Sequence, residues 1–89
     1  MASFTGMDID GVRQLAAALK SKAEEIRGIQ NYLTGQLNDA PWMGADRERF
    51  LGEWTSQHCT ALNNVIQGLE AASQTATMNA AQQESASNA

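Results

Sequence analysis

The chain has 89 residues, a formal net charge of −4, one cysteine and one histidine. An acidic surface without a basic stripe argues against nucleic acid as a partner, because the phosphates would repel it. One cysteine excludes an internal disulfide, and a single His–Cys combination provides no metal cluster. We therefore expect neither a cofactor nor a metal. A chain this short usually needs a partner to reach useful stability.

The first predicted element is a helix over residues 8–38, preceded by a flexible arm over residues 1–7. Asp8 or Asp10 can cap this helix, where a carboxylate suits the helix dipole. Apolar residues then recur at steps of three and four, the spacing of a coiled-coil-like seam: Val12, Leu15, Leu19, Ile26, Ile29 and Leu33. Lys22 falls on the same stripe, and its stem is expected to reach past a partner.

The helix is expected to stop at a turn over residues 39–44. Pro41 lacks an N–H and disfavours helical geometry at Ala40, while Gly44 tolerates a positive φ angle. Trp42 lies between them and is open to two interpretations. It either packs back onto the helix ends as a staple or presents an exposed contact surface.

A second helix is predicted over residues 45–75, with Asp46 placed to cap or favour its first turn. Its apolar stripe comprises Leu51, Trp54, His58, Leu62, Val65, Leu69 and Ala72. Because the connection is short, the two helices should be antiparallel neighbours. Each stripe is broader than one neighbour can cover, so the predicted fold is an all-α hairpin that dimerises into a four-helix bundle. Residues 76–89 are polar and are expected to fray or be disordered.

The sequence gives no support for catalysis. His58 and Cys59 are adjacent, but neighbouring side chains on a helix point about 100° apart, so they do not form a nucleophile pair. We expect His58 at the edge of the packed face and Cys59 near the surface. The ten carboxylates are spread along both helices, without a pair in an apolar pocket. The chain is therefore predicted not to be an enzyme.

The Trp42-Met43-Gly44 turn between two such helices resembles the WXG family of early-secreted-antigen (ESAT-like) proteins exported by type VII (ESX) secretion systems. The similarity extends to the chain length, to Ala45, Phe50 and Trp54, and to the block over residues 60–66. It implies a non-enzymatic protein that is secreted without a cleaved signal peptide, is cytoplasmic before export, and acts through protein–protein contacts. Residues 1–10 have neither the basic flank nor the apolar block of a signal peptide.

The resemblance also implies particular partners. A related hairpin would complete the bundle, and the secretion ATPase would recognise the complex, with Trp42 and Gly44 forming part of the recognition surface. Many family members carry a Tyr followed four residues later by an acid after the second helix. This chain has no Tyr after Tyr32, which favours the signal-less member of a heterodimer. Lys22 points the same way, because two such lysines need not meet favourably in a symmetric pair.

Several alternatives remain open at this point: a homodimeric secreted substrate, a membrane-active effector, or a cytoplasmic helical interaction module. No stretch approaches the apolar length that a bilayer span requires. The residues predicted to be buried, within the hairpin or across a dimer interface, are Leu15, Leu19, Ile26, Ile29, Leu33, Trp54, Leu62, Val65 and Leu69.

Overall fold

The computed structural model describes residues 7–88, and all its regular structure is helical. Helix α1 spans Ile9–Asp39, α2 spans Ala45–Glu53, a π-helical turn follows over Trp54–His58, and α3 spans Cys59–Asn88. The last three segments form one continuous rod that runs antiparallel to α1. The radius of gyration is 19.7 Å, whereas a compact domain of this length has about 12 Å. The predicted all-α hairpin is confirmed, and dimerisation into a four-helix bundle stays a prediction.

Both ends of α1 follow from local sequence chemistry. Asp8 is the N-cap, and its carboxylate accepts a hydrogen bond from the backbone N–H of Gly11 at 3.1 Å. This bond satisfies one of the otherwise unpaired amides of the first turn, and the negative charge suits the helix dipole. At the other end, Ala40 is extended (ψ 139°) because Pro41 follows it.

The contact between α1 and α3, called here the seam, is built mainly from small side chains. Its buried residues are Ala16, Ala23, Ile66, Ser73 and Ala80. The Ser73 hydroxyl donates a hydrogen bond to the backbone carbonyl of Ala16 at 2.7 Å, although the two residues belong to different helices. A side chain as short as serine reaches a facing backbone only when the helices lie very close together. The small residues are what make that approach sterically possible.

One flank of the seam, called here the charged side, is closed by ion pairs between the helices. Arg13 binds Glu84 through two hydrogen bonds of 3.1 and 3.0 Å, and Arg27 binds Glu70 at 3.3 Å. Arg27 also contacts Glu24 on its own helix. An open groove of about 510 Å³ lies along this flank, between Lys20 and Met78. Arg13 and Arg27 are two heptads apart on α1, and Glu70 and Glu84 are two heptads apart on α3. Because the same arginine–glutamate pairing recurs, the ion pairs fix which flanks of α1 and α3 face each other.

The residues predicted to be buried divide into two groups. The first group is half-buried in or beside the seam: Leu19, Ile26, Trp54, Leu62 and Leu69. The second group is exposed in the single chain: Leu15, Ile29, Leu33 and Val65. Lys22 is exposed as well, and its ammonium pairs with Glu25 of the same helix at 2.9 Å. Burial of the second group across a dimer interface stays a prediction.

The π-helical turn explains why the apolar stripe of the second helix divides in this way. The backbone N–H of Cys59 bonds to the carbonyl of Trp54, five residues earlier, so the turn contains one extra residue. If the second helix were an unbroken α-helix, Trp54, His58 and Val65 would lie on the same face and point towards α1. The extra residue places Cys59 and Ile66 in the seam instead. The prediction for His58 and Cys59 is therefore wrong, because His58 is exposed and Cys59 is half-buried.

Helix α3 also continues beyond the predicted end. The expected stop near residue 75, with a frayed tail over 76–89, is too early, because the helix runs to Asn88. Alanine is the strongest helix former, Ala80 is completely buried in the seam, and Glu84 is bound by Arg13. The predicted arm over residues 1–7 and the last residue lie outside the described part of the chain, except that Met7 precedes the capping residue Asp8.

The π turn predicts opposite outcomes for two single-residue deletions. Deleting Gln57 removes the extra residue, and an ordinary α-helix then keeps both halves of the rod in register with α1. We expect stability to be unchanged or raised by up to about 1 kcal/mol. Deleting Gln67 instead rotates Leu69 and Ser73 out of the seam and should cost about 3 kcal/mol or more. Urea unfolding followed by circular dichroism measures both, and equal effects would contradict the assignment.

The pair between Arg13 and Glu84 should hold the free end of α3. Hydrogen bonds and then the charge of Arg13 keep the pKa of Glu84 below its ordinary value. A lowered folded pKa contributes stability that is present at neutral pH and is lost as the pH falls through that lowered pKa. Arg13→Gln should therefore lower the protection factors of the amides over residues 81–88 at pH 7, and the fall in protection that wild type shows on acidification should be absent. Arg49→Gln, at the opposite end, is the control and should change neither.

Candidate functional site at the helical turn

The turn between α1 and α2 is shaped by Pro41 and Gly44. The N–H of Trp42 donates to the carbonyl of Ala40 at 2.8 Å, which closes a three-residue turn around Pro41. Gly44 has φ 113°, the one positive φ among the described residues, and such a value favours glycine. Gly44 is the N-cap of α2, without a side-chain capping bond. Asp46 lies in the first turn of α2, where its charge suits the helix dipole.

Three large apolar side chains are exposed at this end of the hairpin and are called here the tip patch: Trp42, Met43 and Phe50. Met43 is 89% exposed, while Trp42 and Phe50 are each 40% exposed. The rings of Trp42 and Phe50 are tilted by 53° with centroids 5.6 Å apart, a favourable aromatic contact. The two interpretations of Trp42 therefore both hold in part, since its ring packs on Phe50 and still presents apolar surface.

A shallow cleft accompanies the tip patch. It has a volume of about 410 Å³ and is lined by residues 40–44 together with Arg47 and Glu48. The guanidinium of Arg47 pairs with Glu48 at 2.9 Å and lies 3.5 Å from the carbonyl oxygen of Asn38. The cleft therefore combines an apolar wall with charged side chains at its rim. Such a surface is suited to receive a protein side chain or a short peptide segment.

The second tryptophan has a structural role. Trp54 is half-buried, and its indole N–H donates to the hydroxyl of Thr34 on α1 at 2.8 Å. Thr34 in turn donates to the carbonyl of Gln30 at 2.8 Å. Trp54 therefore ties the π turn to α1, and only Trp42 is available for contacts with another molecule.

A second candidate surface lies along the flank opposite the charged side and is called here the open side. It comprises Leu15, Lys22 and Ile29 of α1 with Val65, Gly68 and Ala72 of α3. Leu15, Ile29 and Val65 are 54%, 56% and 50% exposed. A Cβ added at Gly68 would meet no atom within 4 Å. This flank carries exposed apolar surface in rows seven residues apart, as a helix–helix interface does.

The described residues were also searched for a cluster of side chains that could bind a metal ion. Between residues 7 and 88 no group of three His, Cys, Asp or Glu side chains is placed to hold a metal ion. His58 and Cys59 follow one another on the rod, and the imidazole of His58 stands 6.1 Å from the indole ring of Trp54. These residues are accounted for by packing.

Comparison of the chain with protein-family models, with curated proteins and with solved structures returns no match. In the described part of the chain, no helix has the length and apolar content to cross a membrane. Any functional conclusion therefore depends on the geometry of the tip patch and the open side.

The sequence identified Trp42 and Gly44 but did not anticipate two features of these sites. From the sequence, Phe50 is expected to widen the apolar stripe of the second helix, and its contact with Trp42 across the turn was not predicted. A surface for a partner was predicted, but its exact residues on α3 were not, because the π turn shifts the stripe of α3 by one residue. The polar run over residues 55–58 gave no apolar signal from which to place that shift.

The two tryptophans should respond differently to truncation. Trp42→Ala removes an exposed ring and one aromatic contact, so we expect a loss of about 0.5–1.5 kcal/mol. Trp54→Ala removes a half-buried ring and leaves Thr34 without its donor, which should cost about 3 kcal/mol or more. Urea unfolding of both variants tests this difference. Comparable losses would show that Trp42 is a structural staple.

Proposed function

We propose that this chain is a non-enzymatic protein exported by a type VII secretion system as a folded helical dimer. In this proposal the tip patch and its cleft are part of the surface that the secretion ATPase recognises. The open side holds the dimer partner. The protein is cytoplasmic before export and acts through protein–protein contacts.

The observation that carries this proposal is the position of the Trp42-Met43-Gly44 turn. It lies at the end of a 66 Å rod, with Trp42 and Met43 exposed and the backbone fixed by Pro41 and Gly44. A rigid apolar anchor at the end of an elongated body is accessible to a second protein without unfolding of the hairpin. Aromatic anchors in preorganised surroundings contribute disproportionately to binding.

The need for a partner is supported by the energetics of the single hairpin. Only five described residues are buried, and four of them are alanine or serine. Burial of such small side chains contributes little hydrophobic free energy. The exposed leucine, isoleucine and valine residues of the open side would supply the rest when covered by another hairpin.

Two versions of the proposal differ in the identity of that partner. A related hairpin that carries the Tyr-plus-acid signal would make this chain the passenger of a heterodimer. A second copy of the chain would instead create two identical turns in one complex. If export stops when the tail of the candidate related hairpin is deleted, the passenger version is supported; undiminished export contradicts it.

The role of the turn is tested by export from the native host. We expect Trp42→Ala to reduce the extracellular amount of the chain about tenfold or more, because a central aromatic anchor typically contributes 2 kcal/mol or more to binding. Intracellular amount and dimer content should stay close to wild type. Met78→Ala, which removes another exposed apolar side chain on α3 away from the turn, is the matched control. Full export of Trp42→Ala would overturn the recognition role.

A further inference from the structure

The open side has an internal symmetry that identifies what covers it. We infer that its occupant is a second copy of this chain, bound antiparallel about a two-fold axis that passes between Lys22 and Glu25. In this arrangement each Lys22 meets Glu25 of the other copy. The inference deepens the proposed function by naming the partner of the open side.

The first argument is the self-complementarity of α1. Its outward rows on the open side are Leu15, Lys22 and Ile29 in one row and Ala18, Glu25 and Tyr32 in the other. Antiparallel helices pack residues of one row against residues of the other row. Leu15 then meets Tyr32, Lys22 meets Glu25, and Ile29 meets Ala18, each twice. Apolar side chains thus face apolar ones, and the cation at the centre faces an anion.

The second argument is that α3 shows the same symmetry at the same level of the rod. The hydrogen bond from Ser73 to Ala16 fixes the relative height of the two helices. About two helical turns from that bond, towards the turn of the hairpin, the midpoint between Lys22 and Glu25 on α1 lies level with the midpoint between Val65 and Gly68 on α3. An axis through both points places Val65 of one copy against Gly68 of the other.

Gly68 gains a physical explanation from this placement. A glycine inside a helix costs about 1 kcal/mol relative to alanine, and nothing in the single chain restricts a side chain at this position. In the antiparallel pair, Val65 of the second copy occupies the space over Gly68. Ala61 and Ala72 lie at equivalent distances on either side of the axis, so the two α3 helices can approach closely.

The available area is sufficient for a stable dimer. The hairpin measures 66 by 17 Å along its flank, a face on the order of 1,000 Å², compared with the roughly 800 Å² per partner of a standard interface. The centre of the axis falls near the middle of α1, so the two rods overlap along nearly their whole length. Each tip patch then lies beside the free helix ends of the other copy.

Charge-exchanged variants of purified protein test the arrangement. Lys22→Glu places like charges together across the axis at two sites, and so does Glu25→Lys. We expect each variant alone to dimerise at least about tenfold more weakly than wild type in sedimentation equilibrium. Mixed in equal amounts, the two variants should form a heterodimer of near wild-type affinity, because each acidic site then meets a basic one.

The mixture separates contacts between copies from contacts within one chain. The pair of Lys22 with Glu25 inside each chain stays broken in both variants, so mixing can restore only the pair across the axis. Asp46→Lys and Arg49→Glu alter another exposed pair on one helix and are the control; neither they nor their mixture should shift the dimer equilibrium. If the variant mixture remains monomeric, or if wild type is monomeric at tens of micromolar, the inference is overturned.

A steric variant provides an independent readout. Gly68→Leu should weaken dimerisation at least about tenfold while the helical signal is retained, since the space around Gly68 is open in the single chain. Gly28→Leu, at an equally open position on the back of α1, is the matched control and should leave dimerisation unchanged. Equal effects of the two substitutions would contradict the placement. None of these outcomes bears on export, so failure here leaves the role of Trp42 to its own test.

Discussion

The close approach of α1 and α3 is the constraint on which the other features depend. Ser73 reaches the backbone of Ala16 only because both positions are small, and Ala23 and Ala80 extend the same contact along the rod. The helices can then exclude water between them with little side-chain volume. Several larger apolar residues, among them Leu15, Ile29 and Val65, are displaced from the contact to its flank, where a single chain has nothing to cover them.

Features that arise from local chemistry were predictable from the sequence. The cap at Asp8, the stop before Pro41 and the positive φ of Gly44 each follow from one or two residues, and the predicted helix starts and turn lie close to those observed. The orientation of α3 was not predictable, because the π turn depends on how Trp54 reaches Thr34 across the hairpin. The continuation of α3 to Asn88 likewise depends on a partner distant in sequence, Arg13.

The tip patch and the open side are separated along the rod, and this separation allows both to be used at once. Trp42 and Phe50 lie at the turn end of the hairpin, whereas Leu15, Ile29 and Val65 lie along the length of α1 and α3. A partner bound along the flank does not cover the cleft at the turn. The charged side differs again, because its arginines are already neutralised within the chain by Glu70 and Glu84.

The uneven filling of the seam gives the hairpin a mechanical polarity. Close backbone contact with α1 is made by α3, whereas α2 and the π turn stand further from α1, behind the larger side chains Leu37, Leu51 and Trp54. Residues 7 and 88 both lie at the closely packed end, which the pair of Arg13 and Glu84 also closes. A force that pulls on the C-terminus therefore peels α3 from α1 one layer at a time, instead of shearing all layers together. The most closely packed layers must then open first, ahead of the more open part of the hairpin near the turn.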